Sequence, residues 1–405
     1  MKFWLKPALL FFTLVILNGL INFPVRAAEN KDFAQWLAAF YPEAHEQGIS
    51  RVTWDTAFTG VVEPYPEVLA KANYQPEFTT EVWDYLDTRV NPLAVAKGEK
   101  MERYYARTLA DVEKKFGVEK SVLLAIWSME SNYGAIFNRP DRLFYVPRAL
   151  ATLAYGDPKR QKFARTQLIA ALQILQAGDV KKEQLTGSWA GAMGHTQFIP
   201  TSYLAYGVDM DGDGRRDIWT SIPDALATAA NLLHKNGWRT GNTWGYEAVM
   251  PASGEQFNGQ TKTLSEWQKL GFKRPEGQDY DSVDHNAELK LLAGPQGPAF
   301  LMMKNFFVLK RYNNSDFYAL AVGLLADRLA GADRLIGSWP RPPGSLGIEE
   351  KIELQIKLQE KGFYAGEIDG ILGEGTKSAI RQFQIQAGLA EDGTPSYDLL
   401  QALRK

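Results

Sequence analysis

Apolar residues recur at three- and four-residue spacing through most of the chain. That period marks amphipathic helices. Phe33, Trp36, Leu37 and Phe40 predict helix within residues 32–58, and Pro64, Pro66 and Pro76 punctuate the connection that follows. Met101, Tyr105, Leu109, Val112 and Phe116 predict one long helix ending near Gly117. Residues 138–147 read as a loop. Leu168, Ala171, Leu172 and Leu175 are the stripe of a helix over 149–176, and Leu226, Ala229, Ala230 and Leu233 that of a helix over 223–235. The period then changes. Residues 246–250, 287–292 and 299–303 predict short strands, the last two flanking the turn signal Gly294 to Pro298. A small antiparallel sheet in a mainly α chain follows. Pro-rich residues 339–347 predict a semi-stiff linker. Beyond it, Leu354 and Leu358 start one helix and Thr376 caps a second that Gly388 stops. Ser396 introduces a third, so residues 348–405 form a small three-helix domain.

The helical stretch Ser121 to Gly134 breaks its own pattern. Leu123, Ile126, Trp127 and Tyr133 share a face, and Gly134 sits where the helix should stop. Glu130 lies three residues from Trp127 and four from Ile126, on the apolar stripe. Apolar surroundings disfavour a charged carboxylate and raise its pKa. A carboxyl that holds its proton at neutral pH is what a general acid at a glycosidic bond requires. The alternative is a Glu at the edge of the stripe, solvated or paired with an Arg.

Composition narrows the options. The 405 residues suffice for a large core and more than one domain. A net charge of −2 without a long basic run argues against nucleic acid. There is no cysteine, which excludes disulfides, thiol nucleophiles and a lipid anchor on Cys. None of the four histidines lies in a zinc-hydrolase pattern. Residues 1–27 read as a cleaved secretory signal: Lys2 and Lys6 precede the apolar stretch Leu9 to Leu17, and Val25-Arg26-Ala27 fits a small-residue cleavage site. An uncleaved anchor is the other reading. Residues 28–338 then form the main domain of an exported, periplasmic protein.

Between Gly187 and Tyr203 three glycines fall within eight residues, mixed with Ser188, Thr196 and Gln197. Such a stretch lets backbone approach a ligand and offers donors and acceptors. No G-x-S-x-G elbow is present, so Ser188 is a poor nucleophile. Asp209, Asp211 and Asp213 alternate, with Gly214 sixth, as an EF-hand loop opens. Thr220 stands where the closing Glu would be, and Asp224 is placed to close a longer loop. A turn-rich loop without metal fits equally.

Met129 to Gly134, Ala190 to Gly194 and Gln197 to Pro200, in that order, resemble the lytic murein transglycosylase B family. The resemblance covers most of residues 31–336. It implies a lysozyme-like fold acting on peptidoglycan glycan strands, with Glu130 as the single catalytic acid/base. It also implies substrate contacts at Ser188 and Gln197, and at Tyr312, Asn313 and Tyr318 in the run Lys310 to Val322. His195 stands where the family often carries Tyr. In the acidic loop it implies a structural Ca2+ on Asp209, Asp211, Asp213, the Arg215 carbonyl and Asp224, with no cofactor required for the chemistry. The tail, with Ile368-Asp369-Gly370 and Asp392-Gly393, resembles a peptidoglycan-binding domain. A monomer is expected; partners in cell-wall synthesis or division stay open. A hydrolytic muramidase, needing a second carboxylate such as Asp316 or Asp141, and a non-catalytic wall-binding scaffold are the other readings.

Overall fold

The computed structural model describes residues 30–73, 80–280 and 283–405. The expected signal over 1–27, and Pro76, lie outside them. Three helices open the described chain: α1 (Asn30–Glu46), α2 (Arg51–Phe58) and α3 (Pro66–Asn73). Next come α4 (Val82–Asp87), α5 (Pro92–Tyr104), α6 (Ala106–Phe116) and α7 (Lys120–Ser131). The two-residue strands β1 (Phe144–Tyr145) and β2 (Thr186–Gly187) pair antiparallel around α8 (Val146–Gly156) and α9 (Gln161–Ala177). After them run α10 (Pro200–Tyr206) and α11 (Ile222–Lys235).

Two expected helices are divided. The long one ends at Tyr105, whose backbone (φ −107°, ψ 24°) leaves the helical range. The bend lets both halves pack on α7, and the Tyr105 ring meets Trp127 edge-on at 5.5 Å. The apolar period runs through the break because both halves face the same core. The helix expected over 149–176 is interrupted after Gly156. Pro158 has no N–H to continue a ladder, and the Asp157 carboxylate accepts from the backbone of Lys159 and Arg160 instead.

Four strands make the second sheet: β3 (Gly245–Ala248), β4 (Thr261–Thr263), β5 (Asn286–Lys290) and β6 (Ala299–Met302). Their order is β3-β6-β5-β4, antiparallel throughout. With α12 (Leu264–Lys269) the sheet closes its own core around Trp267 and Phe272. Strand β4, Thr-Lys-Thr on an edge, has no apolar alternation to announce it. Helices α13 (Lys304–Tyr312) and α14 (Asp316–Leu329) return to the main core.

The tail is α15 (Ile348–Glu360), α16 (Glu374–Ala387) and α17 (Tyr397–Arg404), closed on Leu354, Ile380, Phe383 and Leu400. Gly373, not Thr376, is the N-cap of α16; Thr376 is buried inside it, 3.4 Å from the Gln355 amide. Among the described residues, no helix is long and apolar enough to cross a membrane.

Candidate active site

Helix α7 forms the centre of the main core. Val122 to Trp127 are all buried, and α14 packs along it. The helix stops at Ser131, earlier than Gly134 suggested. Asn132, Tyr133 and Gly134 then follow one another in the left-handed region, with φ of 49°, 54° and 82°. A non-glycine residue there is uncommon, and two in succession must be held by their surroundings. The holding group is His195. Trp127 Nε1 donates to its Nδ1 (3.1 Å), Ser131 Oγ donates to its carbonyl (2.7 Å), and the Gly134 N–H closes onto Ser131 Oγ (3.0 Å). A Cβ on Gly134 would lie 2.4 Å from the imidazole, so only glycine fits. Burial pushes His195 down to about 4 against the pull of Asp217, leaving it neutral at ordinary pH. Its ring is committed to Trp127 and Phe137, behind the turn.

Glu130 projects from the last turn of α7, half-buried. The Tyr318 hydroxyl, from the first turn of α14, donates to its Oε1 at 2.5 Å. Burial pushes the carboxyl up to about 7, although the Tyr318 bond and the Arg89 guanidinium both work to lower it. The apolar setting outweighs both. Tyr318 stacks on Tyr312 with ring centres 6.3 Å apart, and the Tyr312 hydroxyl donates to the Thr196 carbonyl at 2.6 Å. Burial and the nearby Glu130 raise both phenols well above their ordinary value, so they stay neutral donors.

The glycine-rich loop supplies the adjoining wall. Met193 bridges antiparallel to both Gly187 and Phe198, folding the loop on itself. Gln197, next to the Thr196 anchor, is held at φ 49° with its amide on the Gly194 carbonyl (2.9 Å). The Ser188 hydroxyl accepts from Ala190 and Ala192 at 3.3 and 3.0 Å, bracing the loop from within. Asn313 is exposed at the end of α13. Of the expected set, Glu130, Tyr312 and Tyr318 are thus brought together, with Gln197 tied to them by one peptide.

Two residues at this site escaped the sequence. Tyr85 on α4 packs on Phe317 (5.9 Å between ring centres), and Arg89 lies 3.8 Å above the Tyr85 ring. Both act electrostatically on Glu130 or feel it. Tyr85 and Arg89 are four residues apart, and that i,i+4 spacing was their only local signal.

The candidate second carboxylates are committed elsewhere. Burial works to raise Asp316, but Lys310 (2.6 Å) and Lys290 (3.0 Å) hold it below its ordinary value. The Arg139 bond at 3.2 Å holds exposed Asp141 low as well.

In the acidic loop, carboxylate oxygens of Asp209, Asp211 and Asp213 lie within 4.8 Å of one another. These oxygen donors suit a hard cation. Asp209 accepts from Gly212 and Gly214, and Asp213 is bonded by Arg215, which keeps its pKa low. Asp224 is not one of the group. It is fully buried, and its two oxygens accept the backbone N–H groups of Met210 (2.7 Å) and Asp217 (2.8 Å). It braces the loop from beneath.

A carboxyl lifted to about 7 by burial and bonded to a phenol, in a mainly helical domain, makes a candidate acid site on a lysozyme-like fold. The family described as transglycosylase SLT domain matches residues 32–327, and the chain belongs to it. A peptidoglycan binding domain family matches residues 349–403. Membrane-bound lytic murein transglycosylase B of Escherichia coli is 29% identical over 244 residues, 60% of this chain and 65% of that protein, just short of two thirds of its length. Crystal structures of SltB3 from Pseudomonas aeruginosa, in complex with NAG-anhNAM-pentapeptide and with NAG-NAM-pentapeptide, are 45% identical with a TM-score of 0.73. They cover 92% of this chain and 99% of theirs. Soluble lytic transglycosylase SltB1 from the same organism is 27% identical with a TM-score of 0.61, covering 75% of this chain and 99% of its own.

Proposed function

We propose that the protein is a periplasmic lytic transglycosylase that cleaves the bond between N-acetylmuramic acid and N-acetylglucosamine in peptidoglycan, using Glu130 twice. The observation that carries this is the Glu130 carboxyl, lifted to about 7 by burial yet tied to Tyr318. Protonated Glu130 gives its proton to the glycosidic oxygen, and the C1–O bond breaks through an oxocarbenium-like state. The resulting carboxylate takes the proton of the muramic C6 hydroxyl, whose oxygen closes on C1. The product carries a 1,6-anhydro end, and Glu130 regains its proton. Because the nucleophile is already part of the substrate, neither water nor a second carboxylate is required. Tyr318 fixes the Oε1 side of the carboxyl and leaves the other oxygen for the substrate. Ser188, Gln197, Tyr312 and Asn313 are assigned to substrate contact, the Ser188 hydroxyl also bracing its loop. A complex of SltB3 with an anhydro-muramyl fragment supports this product class.

A hydrolytic muramidase would need its second carboxylate ~5 to 9.5 Å from the first. The ion pairs on Asp316 and Asp141 disfavour both candidates. In the acidic loop, Asp209, Asp211, Asp213 and the Arg215 carbonyl would hold Ca2+, supplying rigidity and no chemistry. The tail is assigned to wall binding. Mass spectrometry of muropeptides released from purified sacculi tests the reading. Anhydro-muramic ends, lighter by one water than reducing ends, support it; reducing ends overturn it in favour of hydrolysis.

A further inference from the structure

The short helix α4 lies between the active site and the tail. On one side it presents Tyr85, with Arg89 in the turn that follows the helix. Tyr85 packs on Phe317, next in sequence to the Tyr318 that binds Glu130. Arg89 caps the Tyr85 ring and donates to the Tyr85 carbonyl (3.3 Å) and Thr88 hydroxyl (2.7 Å). On the other side it presents Asp84 and Asp87. Asp87 is 5% exposed. Arg341 of the linker grips it with two bonds, at 2.6 and 2.9 Å, and Lys351 of α15 adds a third at 2.7 Å. Lys351 also reaches Asp84 at 3.4 Å. Arg334 pairs with Glu349 beside them.

A single buried carboxylate thus receives two cations from a part of the chain more than 250 residues away. An unpaired charge there would be strongly unfavourable, so tail and α4 hold each other in place. α4 has only six residues and no side-chain N-cap bond. Too short to be stable alone, it takes its position from what it touches.

We propose that Asp87 is a positioning residue: the docked linker and tail fix α4 through it, and α4 in turn sets Tyr85 and Arg89 against Glu130. Tail docking and cleavage are then coupled through one helix. Glu130 is faced by Tyr318 and Tyr312 from α14 and α13, and by Tyr85 and Arg89 from the α4 segment. Lys97 of α5 stands at the same C-terminal end of α7, but it is held on the Asn132 carbonyl at 2.8 Å. Of these, only Tyr85 and Arg89 move with α4. Loosening α4 withdraws a cation from the carboxyl, so Glu130 should titrate at higher pH.

The inference rests on the function proposed above, so the test has two independent readouts. The full-length chain and its Asp87→Asn variant are compared for kcat and KM on sacculi, and for titration of the Glu130 side-chain carboxyl by carbon NMR. The expected result is a fall in kcat of about tenfold with KM and sacculus pull-down within twofold, and a Glu130 midpoint moved to higher pH. Asp87→Glu, which keeps the charge, should recover most of the rate. Unchanged kcat and an unchanged midpoint in a folded Asp87→Asn protein would overturn the proposal. If Asp87→Asn does not fold, Arg341→Gln carries the same test, since Lys351 still neutralises the carboxylate. A wild-type chain without turnover would sink the function reading, while the titration would still decide this one.

Discussion

The Glu130 site and the Asp209–Asp213 loop both concentrate carboxyl chemistry, and they treat it in opposite ways. Glu130 is a single carboxyl in apolar surroundings with neutral phenols for neighbours, and burial lifts it to about 7. The acidic loop crowds three carboxylates within 4.8 Å at the surface, where backbone N–H groups and Arg215 bond to them. The same functional group is fitted to keep a proton in the first setting and to collect backbone and guanidinium donors in the second. Solvent access decides which, more than the number of nearby charges.

Replacing the acid breaks that comparison most severely. Glu130→Gln should lower muropeptide release by at least about 10³-fold while sacculus pull-down persists. Retained cleavage would remove Glu130 from the mechanism. The same variant should change stability with a definite sign. Between the ordinary value of 4.5 and about 7, the folded protein keeps a proton that the unfolded chain gives up. Stability should therefore fall as pH rises through that window, by up to about 3 kcal/mol. Glu130→Gln should lack this decline, so melting curves of the two proteins should coincide more closely at pH 4 than at pH 8.

Tyr318→Phe sharpens the contrast. It removes a bond that lowers the Glu130 pKa and should cost about ten- to a hundredfold in kcat. The wild-type rate should fall as pH rises through about 7, and in the variant this limb should move up. A limb that moves down would mean the phenol acts on some other group. The smallest effect belongs to the loop. Calcium should raise the melting temperature of the wild type by a few degrees and leave an Asp209→Asn/Asp213→Asn double variant unmoved. An equal response in both would place any ion elsewhere.

The sequence carries these two regions unequally. The acidic loop is local, so the alternation of Asp209, Asp211 and Asp213 with Gly214 suffices to find it. Only the use of Asp224 is hidden, because whether a carboxylate faces an ion or backbone amides depends on the fold. Glu130 is legible as an anomaly on an apolar stripe. Its partner Tyr318 lies 188 residues away and reads by itself as ordinary helix core. Family resemblance, not spacing, brought Tyr318 forward. Tyr85 and Arg89 had neither aid, since α4 is too short to show a period. Helix boundaries failed where both flanking pieces face one core, as at Tyr105 and Asp157. Apolar spacing reports which face is buried, not whether the backbone is continuous.

The linker contact has a consequence for the order in which the chain matures. Arg341 and Asp87 are 254 positions apart, a wider separation than the 188 between Glu130 and Tyr318. A chain that emerges from its amino end completes the acid and its phenolic wall first. The Arg341 and Lys351 bonds to α4 close later, when the linker and α15 arrive. A single cut within residues 330–340 would leave Arg341 and Lys351 on a fragment no longer joined to α4 through the backbone. That seam lies far in sequence from Glu130.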